Sequence, residues 1–152
     1  MNDDAIFHAI RARLAAAGIA GEWATPDRPG YLAAGKGAYI VLIRLDQAIE
    51  VDAAPLGGNT LPAGTYLYAG SAWGPGGIAA RIKRHFRPDK KLHWHVDRLT
   101  VQACALAAIA VPDGNECDLV RRLLAMEGIR TALDGFGSTD CRTCRSHLLS
   151  LG

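Results

Sequence analysis

A chain of 152 residues, 49% hydrophobic and 21% charged, is long enough to bury a sizeable core as one globular domain. No apolar run approaches the ~20 residues that span a bilayer. The acidic start Met1-Asn2-Asp3-Asp4 has no apolar stretch behind it, so the expectation is a cytoplasmic protein with neither signal peptide nor membrane contact. The net charge of +2 excludes little, but it is unevenly spread: residues 81–98 hold seven cations against Asp89 and Asp97, while the rest holds ten cations against thirteen carboxylates. Such an asymmetry points to an anionic partner, most economically nucleic acid, with a solvated basic loop as the alternative.

In chain order, Asp3 or Asp4 is placed to cap a helix running to about Ala17, with Ile6, Ile10 and Leu14 on one stripe and Gly18 as its stop. Residues 19–36, with Pro26 and Pro29 and several glycines, read as a linker. This divides the chain into an N-terminal helix and linker, 1–35, and a main domain, 36–152. Tyr39–Leu45 reads as a buried strand, Ile49–Val51 as a short partner after a turn, and Tyr66–Gly70 as the third strand of an antiparallel meander. Gly74, Pro75, Gly76 and Gly77 break the chain before a helix at 78–86, on which Ile78, Ile82 and Phe86 share a stripe. A basic loop follows, then a helix over Leu92–Thr100, an apolar strand over Cys104–Val111 and a helix over Asn115–Met126. The alternation predicts a small α/β sandwich: an antiparallel three-stranded sheet flanked by helices, with the N-terminal helix as an extension.

The chemistry-bearing stretch is Gly64–Phe86. A strand delivers Tyr68 to a glycine loop, and the helix after it carries Arg81, Arg84 and His85 as neighbours three and four residues apart. A phenol, a guanidinium and an imidazole so placed suit a phosphodiester. An ordinary pair of strand tyrosines and an exposed basic helix face are the structural alternative. Gly37-Ala38-Tyr39, then Tyr68-Ala69-Gly70 and an arginine-bearing helix, resembles the GIY-YIG nuclease superfamily. The segments Tyr66–Ala72, Ala80–His85, Leu92–Asp97 and Gly135–Leu148 are similar to its Uri-type endonuclease branch. The likeness covers roughly residues 36–149.

That resemblance implies a metal-dependent endonuclease or structure-specific nuclease, with DNA the favoured substrate. It implies Tyr39 as the first motif's tyrosine and Tyr68 and Gly70 as the ends of the second. Arg81 is then the phosphate-stabilising arginine, His85 an assisting histidine, and Glu116 the ligand of one Mg²⁺ or Mn²⁺. Alanine stands for isoleucine in both tripeptides, and an asparagine that some members carry beyond the glutamate has no match. Read from the residues alone, Glu116 is a first-turn carboxylate behind an Asn115 cap, with Asp118 and Glu127 as fallbacks. An arginine fork can grip two phosphate oxygens. One carboxylate plus waters suffices for Mg²⁺. An unperturbed tyrosine is a poor base at neutral pH, and Tyr39 serves only if Arg81, the metal or His85 stabilises its phenolate, since nearby positive charge lowers a phenol's pKa.

Further candidates surround this set. Lys83, Arg84, Lys90, Lys91, His93 and His95 are expected at a nucleic-acid surface, with Gly70 at the turn and Trp73 free to stack on a base. In a helix His93 is expected to pair with Asp97. In the tail Cys141, Cys144 and His147 are spaced C-x2-C-x2-H, and Cys117 offers a fourth ligand for Zn²⁺; unliganded thiols and a redox pair are the alternatives. Two other readings of the whole stand beside the nuclease: a nucleic-acid-binding module with little or no cleavage, and a zinc-stabilised interaction domain. Oligomeric state stays open.

Overall fold

The computed structural model describes residues 2–29, 35–52, 56–137 and 144–152. Helix α1 spans Asp3–Ala16. Its cap is Asn2, one residue before the expected aspartates, whose side chain accepts from the Ala5 N–H at 2.8 Å; Asp3 and Asp4 follow in the first turn. Strand β1 (Trp23–Ala24) precedes β2 (Gly37–Leu45), and β3 (Ile49–Val51) and β4 (Asn59–Leu61) precede β5 (Gly64–Ala72). Then come α2 (Gly77–Phe86), α3 (Asp97–Thr100), β6 (Ala105–Pro112), α4 (Glu116–Leu124), β7 (Ile129–Thr131) and β8 (Leu148–Leu151). The chain is thus a mixed α/β protein with an antiparallel sheet and, among the described residues, four helices.

The expected three-stranded meander is corrected. The main sheet has six strands, in the order β1-β6-β2-β5-β8-β7, and β3 pairs only with β4 in a separate hairpin. β2 cannot take β3 as a neighbour because its two edges are already occupied: β5 is bonded along one side and β6 along the other for nearly its whole length. The first 35 residues supply α1 and the edge strand β1, which pairs with β6.

Alternation along β2 divides the core between the two faces of the sheet. Tyr39, Val41, Ile43 and Leu45 face one cluster, with Ile78 and Ile82 of α2, Leu99 of α3 and the β3–β4 hairpin. Ala38, Ile40 and Leu42 face the other, with Phe7, Ile10 and Leu14 of α1 and Leu119, Val120 and Leu123 of α4. Both faces being covered, β2 reads as a continuous apolar run rather than an alternating one.

A second correction concerns the expected helix over Leu92–Thr100, of which only Asp97–Thr100 is helical. The backbone N–H groups of His93 and Trp94 both donate to Asp97 Oδ2 at 2.8 Å, an arrangement that holds this segment as a cap instead of a helical turn. The predicted pairing of His93 with Asp97 therefore runs through the His93 backbone. No helix among the described residues is long and apolar enough to cross a membrane.

Candidate functional site

β2 and β5 run antiparallel in a register that sets Tyr39 directly opposite Gly70. The Tyr39 ring lies across that glycine: a Cβ at position 70 would sit 2.3 Å from both Tyr39 Cζ and Oη. Gly70, expected at a nucleic-acid surface, is buried and acts by giving the phenol room. Gly70→Ala is accordingly expected to displace the Tyr39 ring and destabilise the fold by roughly 1–3 kcal/mol. Urea unfolding checks this, and an unchanged midpoint would show that the ring relaxes at no cost.

Helix α2 crosses this point from above. Ile78, Ile82 and His85 form its buried stripe; Phe86, expected there, is only half-buried. His85, expected to project beside Arg81 and Arg84, instead points inward and is fully buried. Its Nε2 lies 2.7 Å from Tyr39 Oη, and its ring centroid is 5.2 Å from that of Tyr39 and 6.0 Å from that of Tyr68. Nδ1 of His85 is buried without a hydrogen-bond partner.

Burial governs the titration of this cluster. Desolvation, reinforced by the neighbouring Tyr68, pushes the Tyr39 phenol well above its ordinary value, against the pull of Arg81 and Arg84. Arg81 and Arg84 alone therefore do not lower the Tyr39 phenol: the cations are present, but burial outweighs them. Tyr68 is likewise pushed up to about 12 by burial, then by Asp97 and Glu116, with Arg81 opposing. His85 is pushed down to about 3 by burial and by the charges of Lys90, Arg84 and Arg81, with Asp97 opposing. At neutral pH the pair is a protonated phenol against a neutral imidazole.

Arg81 is half-buried, its guanidinium carbon 4.7 Å from the centre of the Trp94 ring, and its charge is felt by Tyr39, Tyr68 and His85 alike. Glu116 opens α4, which packs on the opposite face of the sheet, yet its charge reaches Tyr68. Tyr39 and Tyr68 are therefore both in ring contact with His85 of α2, which also carries Arg81, while Glu116 lies on the helix packed against the other face of the sheet.

Other predicted ligands of nucleic acid are held in structural contacts. Arg84 stacks on Trp94 at 4.1 Å and forms a fork on Asp97, with Nη1–Oδ1 at 2.7 Å and Nη2–Oδ2 at 2.9 Å. Lys90 Nζ donates to the carbonyls of Arg84 (3.1 Å) and His85 (2.6 Å), so it caps the C-terminal end of α2. His95 Nδ1 accepts from the Gly137 N–H at 3.1 Å, against Phe136. Lys83, Lys91, His93 and Trp73 are exposed. Asp97 is the residue that sequence reasoning undervalued; a carboxylate inside a run of cations was the available signal.

Next to Glu116, the ligand atoms of Cys117, Cys144 and His147 lie within 4.8 Å of one another, a group able to hold a metal ion. Cys117 Sγ is 3.9 Å from His147 Nε2. Cys141, the remaining member of the predicted set, lies outside the described residues.

Fold and site together define a mixed α/β protein with a buried phenol–imidazole pair beneath an arginine-bearing helix and a Cys/His group at the sheet's end. A family model described as Domain of unknown function DUF123 matches residues 38–152, and the chain belongs to that family. No curated protein and no solved structure matches it.

Proposed function

We propose that this chain is a metal-dependent endonuclease of the GIY-YIG type, of the Uri-type branch, hydrolysing phosphodiester bonds of nucleic acid, with DNA the favoured substrate. The observation that carries the reading is the packing of the His85 ring against both Tyr39 and Tyr68, on a helix that also carries Arg81, whose charge acts on Tyr68 as does that of Glu116 from α4. The exposed Lys83, Lys91 and Trp73 offer cations and a stacking face for the strand.

Two donor sets fit two metals. Glu116, a half-buried hard carboxylate, suits Mg²⁺ or Mn²⁺ completed by waters; Cys117, Cys144 and His147, soft donors, suit Zn²⁺. When bound at Glu116, the hard cation supplies charge neutralisation at the phosphoryl group. The chain's own residues do the rest. Arg81 grips the phosphoryl oxygens where charge accumulates. Tyr39 donates its phenolic proton toward His85 Nε2 as its oxygen takes the proton of an attacking water. The water oxygen bonds to phosphorus as the P–O bond to the departing alkoxide breaks, and that alkoxide takes its proton from solvent. An anion drawn in by Arg81 favours that transfer, since negative charge beside His85 raises its proton affinity.

A second reading, a nucleic-acid-binding module with little cleavage, is favoured by the depth of the pair: Tyr39 is 2% exposed and His85 0%. One assay separates the two. Purified protein with Mg²⁺ or Mn²⁺ is offered labelled single-stranded, duplex, flap and branched substrates, with EDTA controls. Tyr39→Phe is expected to lower the cleavage rate about 10²-fold with affinity retained, Glu116→Gln to abolish cleavage while binding survives, and Arg81→Ala to damage rate more than affinity. Metal-dependent cleavage indifferent to both Tyr39→Phe and Glu116→Gln would falsify the assignment. Binding without cleavage in the wild type selects the second reading.

A further inference from the structure

Cys117 and His147 belong to different parts of the fold, and each is tied to the proposed catalytic end of the sheet. Cys117 follows Glu116 in the first turn of α4. Downstream, α4 is anchored by Leu119, Val120 and Leu123, but the described cap of the first turn is a single hydrogen bond, from the Asp118 N–H to the Asn115 side chain at 3.0 Å. His147, by contrast, is firmly placed beside the tyrosine strand. Its carbonyl accepts from the Ala69 N–H at 3.0 Å and its own N–H donates to the Phe136 carbonyl at 2.8 Å. Gly137 fills the gap between it and Tyr68: a Cβ there would lie 3.2 Å from Tyr68 Oη and 3.5 Å from His147 Cβ.

We propose that Cys117, Cys144 and His147 hold one Zn²⁺ that latches the first turn of α4 to the start of β8, and so fixes the Glu116 carboxylate, one residue before Cys117, for its own divalent cation. The second half rests on the nuclease reading of Glu116; the first does not. Tetrahedral Zn²⁺ takes thiolate at ~2.3 Å and imidazole at ~2.0 Å, which places ligand atoms somewhat under ~4 Å apart. Ligand atoms already within 4.8 Å need close only slightly. Binding releases the thiol protons to solvent. Glu116 is then a metal ligand, and the zinc set acts on it through the one-residue step to Cys117, as a positioning group.

The test uses the full chain and three readouts. Zinc content of protein purified without chelator is expected at about one equivalent, and replacement by Co²⁺ is expected to give thiolate-to-metal charge-transfer bands together with tetrahedral d–d absorption. Both should vanish in Cys144→Ser, a substitution remote in sequence from Glu116. Mn²⁺ affinity, followed by electron paramagnetic resonance of the free ion, is expected to fall 10- to 100-fold in that variant, the usual loss when support for a metal ligand is removed. The Mg²⁺ concentration for half-maximal cleavage should rise in step, with the rate recovering at saturating Mg²⁺. Should Cys144→Ser fail to fold, wild-type protein stripped of zinc and then resupplied gives the same comparison. Absence of zinc and of a Co²⁺ spectrum in the wild type overturns the site. Zinc bound with Mn²⁺ affinity unchanged by its removal, or no Mn²⁺ bound at all, overturns the coupling. Zinc and Mn²⁺ behaving as expected in a protein that cuts nothing leaves the latch standing and defeats only the nuclease reading.

Discussion

Lowering the pH from 6.5 to 4 is expected to remove about 3 kcal/mol of folding stability through His85 alone. The imidazole is fully buried and held at about 3 in the folded chain, against an ordinary value of 6.5. Below pH 6.5 the unfolded chain therefore binds a proton that the folded chain refuses. Stability falls steadily through that window, and the loss is complete only near pH 3, at on the order of 5 kcal/mol. Asp97 acts in the same direction over a lower range. Burial pulls its carboxyl up, but hydrogen bonds from Arg84 and from the backbones of His93 and Trp94 outweigh it and hold it at about 2, below the ordinary 3.8. Its contribution is present above pH 3.8 and lost as the pH falls toward 2. Urea unfolding at steps between pH 7 and 4 reads the His85 share directly, because His85→Gln should flatten most of the slope. A wild-type profile that is level from 6.5 to 4.5 would show that His85 titrates normally, and so that the Tyr39–His85 pair is open to water.

Asp97→Ala should cost about 3–5 kcal/mol, the range for breaking a buried ion pair. The carboxylate is fully buried and takes four hydrogen bonds: two from Arg84 and one each from the N–H groups of His93 and Trp94. Its removal leaves a guanidinium and two backbone donors without their acceptor in a partly desolvated place. Trp94 then loses its tether, and with it the ring on which both Arg81 and Arg84 stack. Arg84→Ala is expected to be milder, since the two backbone donors still serve the carboxylate. Arg81→Ala should hardly move stability. Thermal or urea unfolding of the three variants reads the order directly: equal losses in Asp97→Ala and Arg81→Ala would mean that the Asp97 network holds nothing together.

This network also shows where charge pattern misleads. The run from Arg81 to Arg98 reads as a uniform basic surface, because a sequence displays charge but not direction. In the fold, Arg84 turns back onto Asp97 and Lys90 onto the last carbonyls of α2, while Lys83 and Lys91 remain exposed. The expected phosphate contacts at Arg84 and Lys90 are thus occupied by structural partners.

The sequence by itself determined most of the local structure. The Gly74–Gly77 break and the Ile78–Ile82 spacing mark α2, Asn115 marks the start of α4, and the β-branched run after Gly37 marks β2, because each signal acts within one turn or one strand. The C-x2-C-x2-H spacing also put Cys144 and His147 into a candidate metal set with Cys141 and Cys117, of which the fold brings Cys117, Cys144 and His147 together. Only the tertiary structure decided which strands adjoin: β2 is bonded on both edges by β5 and β6, which lie far apart in the chain and shut out the nearer β3. It alone decided that His85 points inward, because α2 has two apolar residues and one imidazole against the sheet while Phe86 sits at its margin. And it alone decided the titration of Tyr39: the cations that would lower the phenol are legible in the sequence, whereas the burial that outweighs them comes into being only when β2, β5 and α2 close over the hydroxyl.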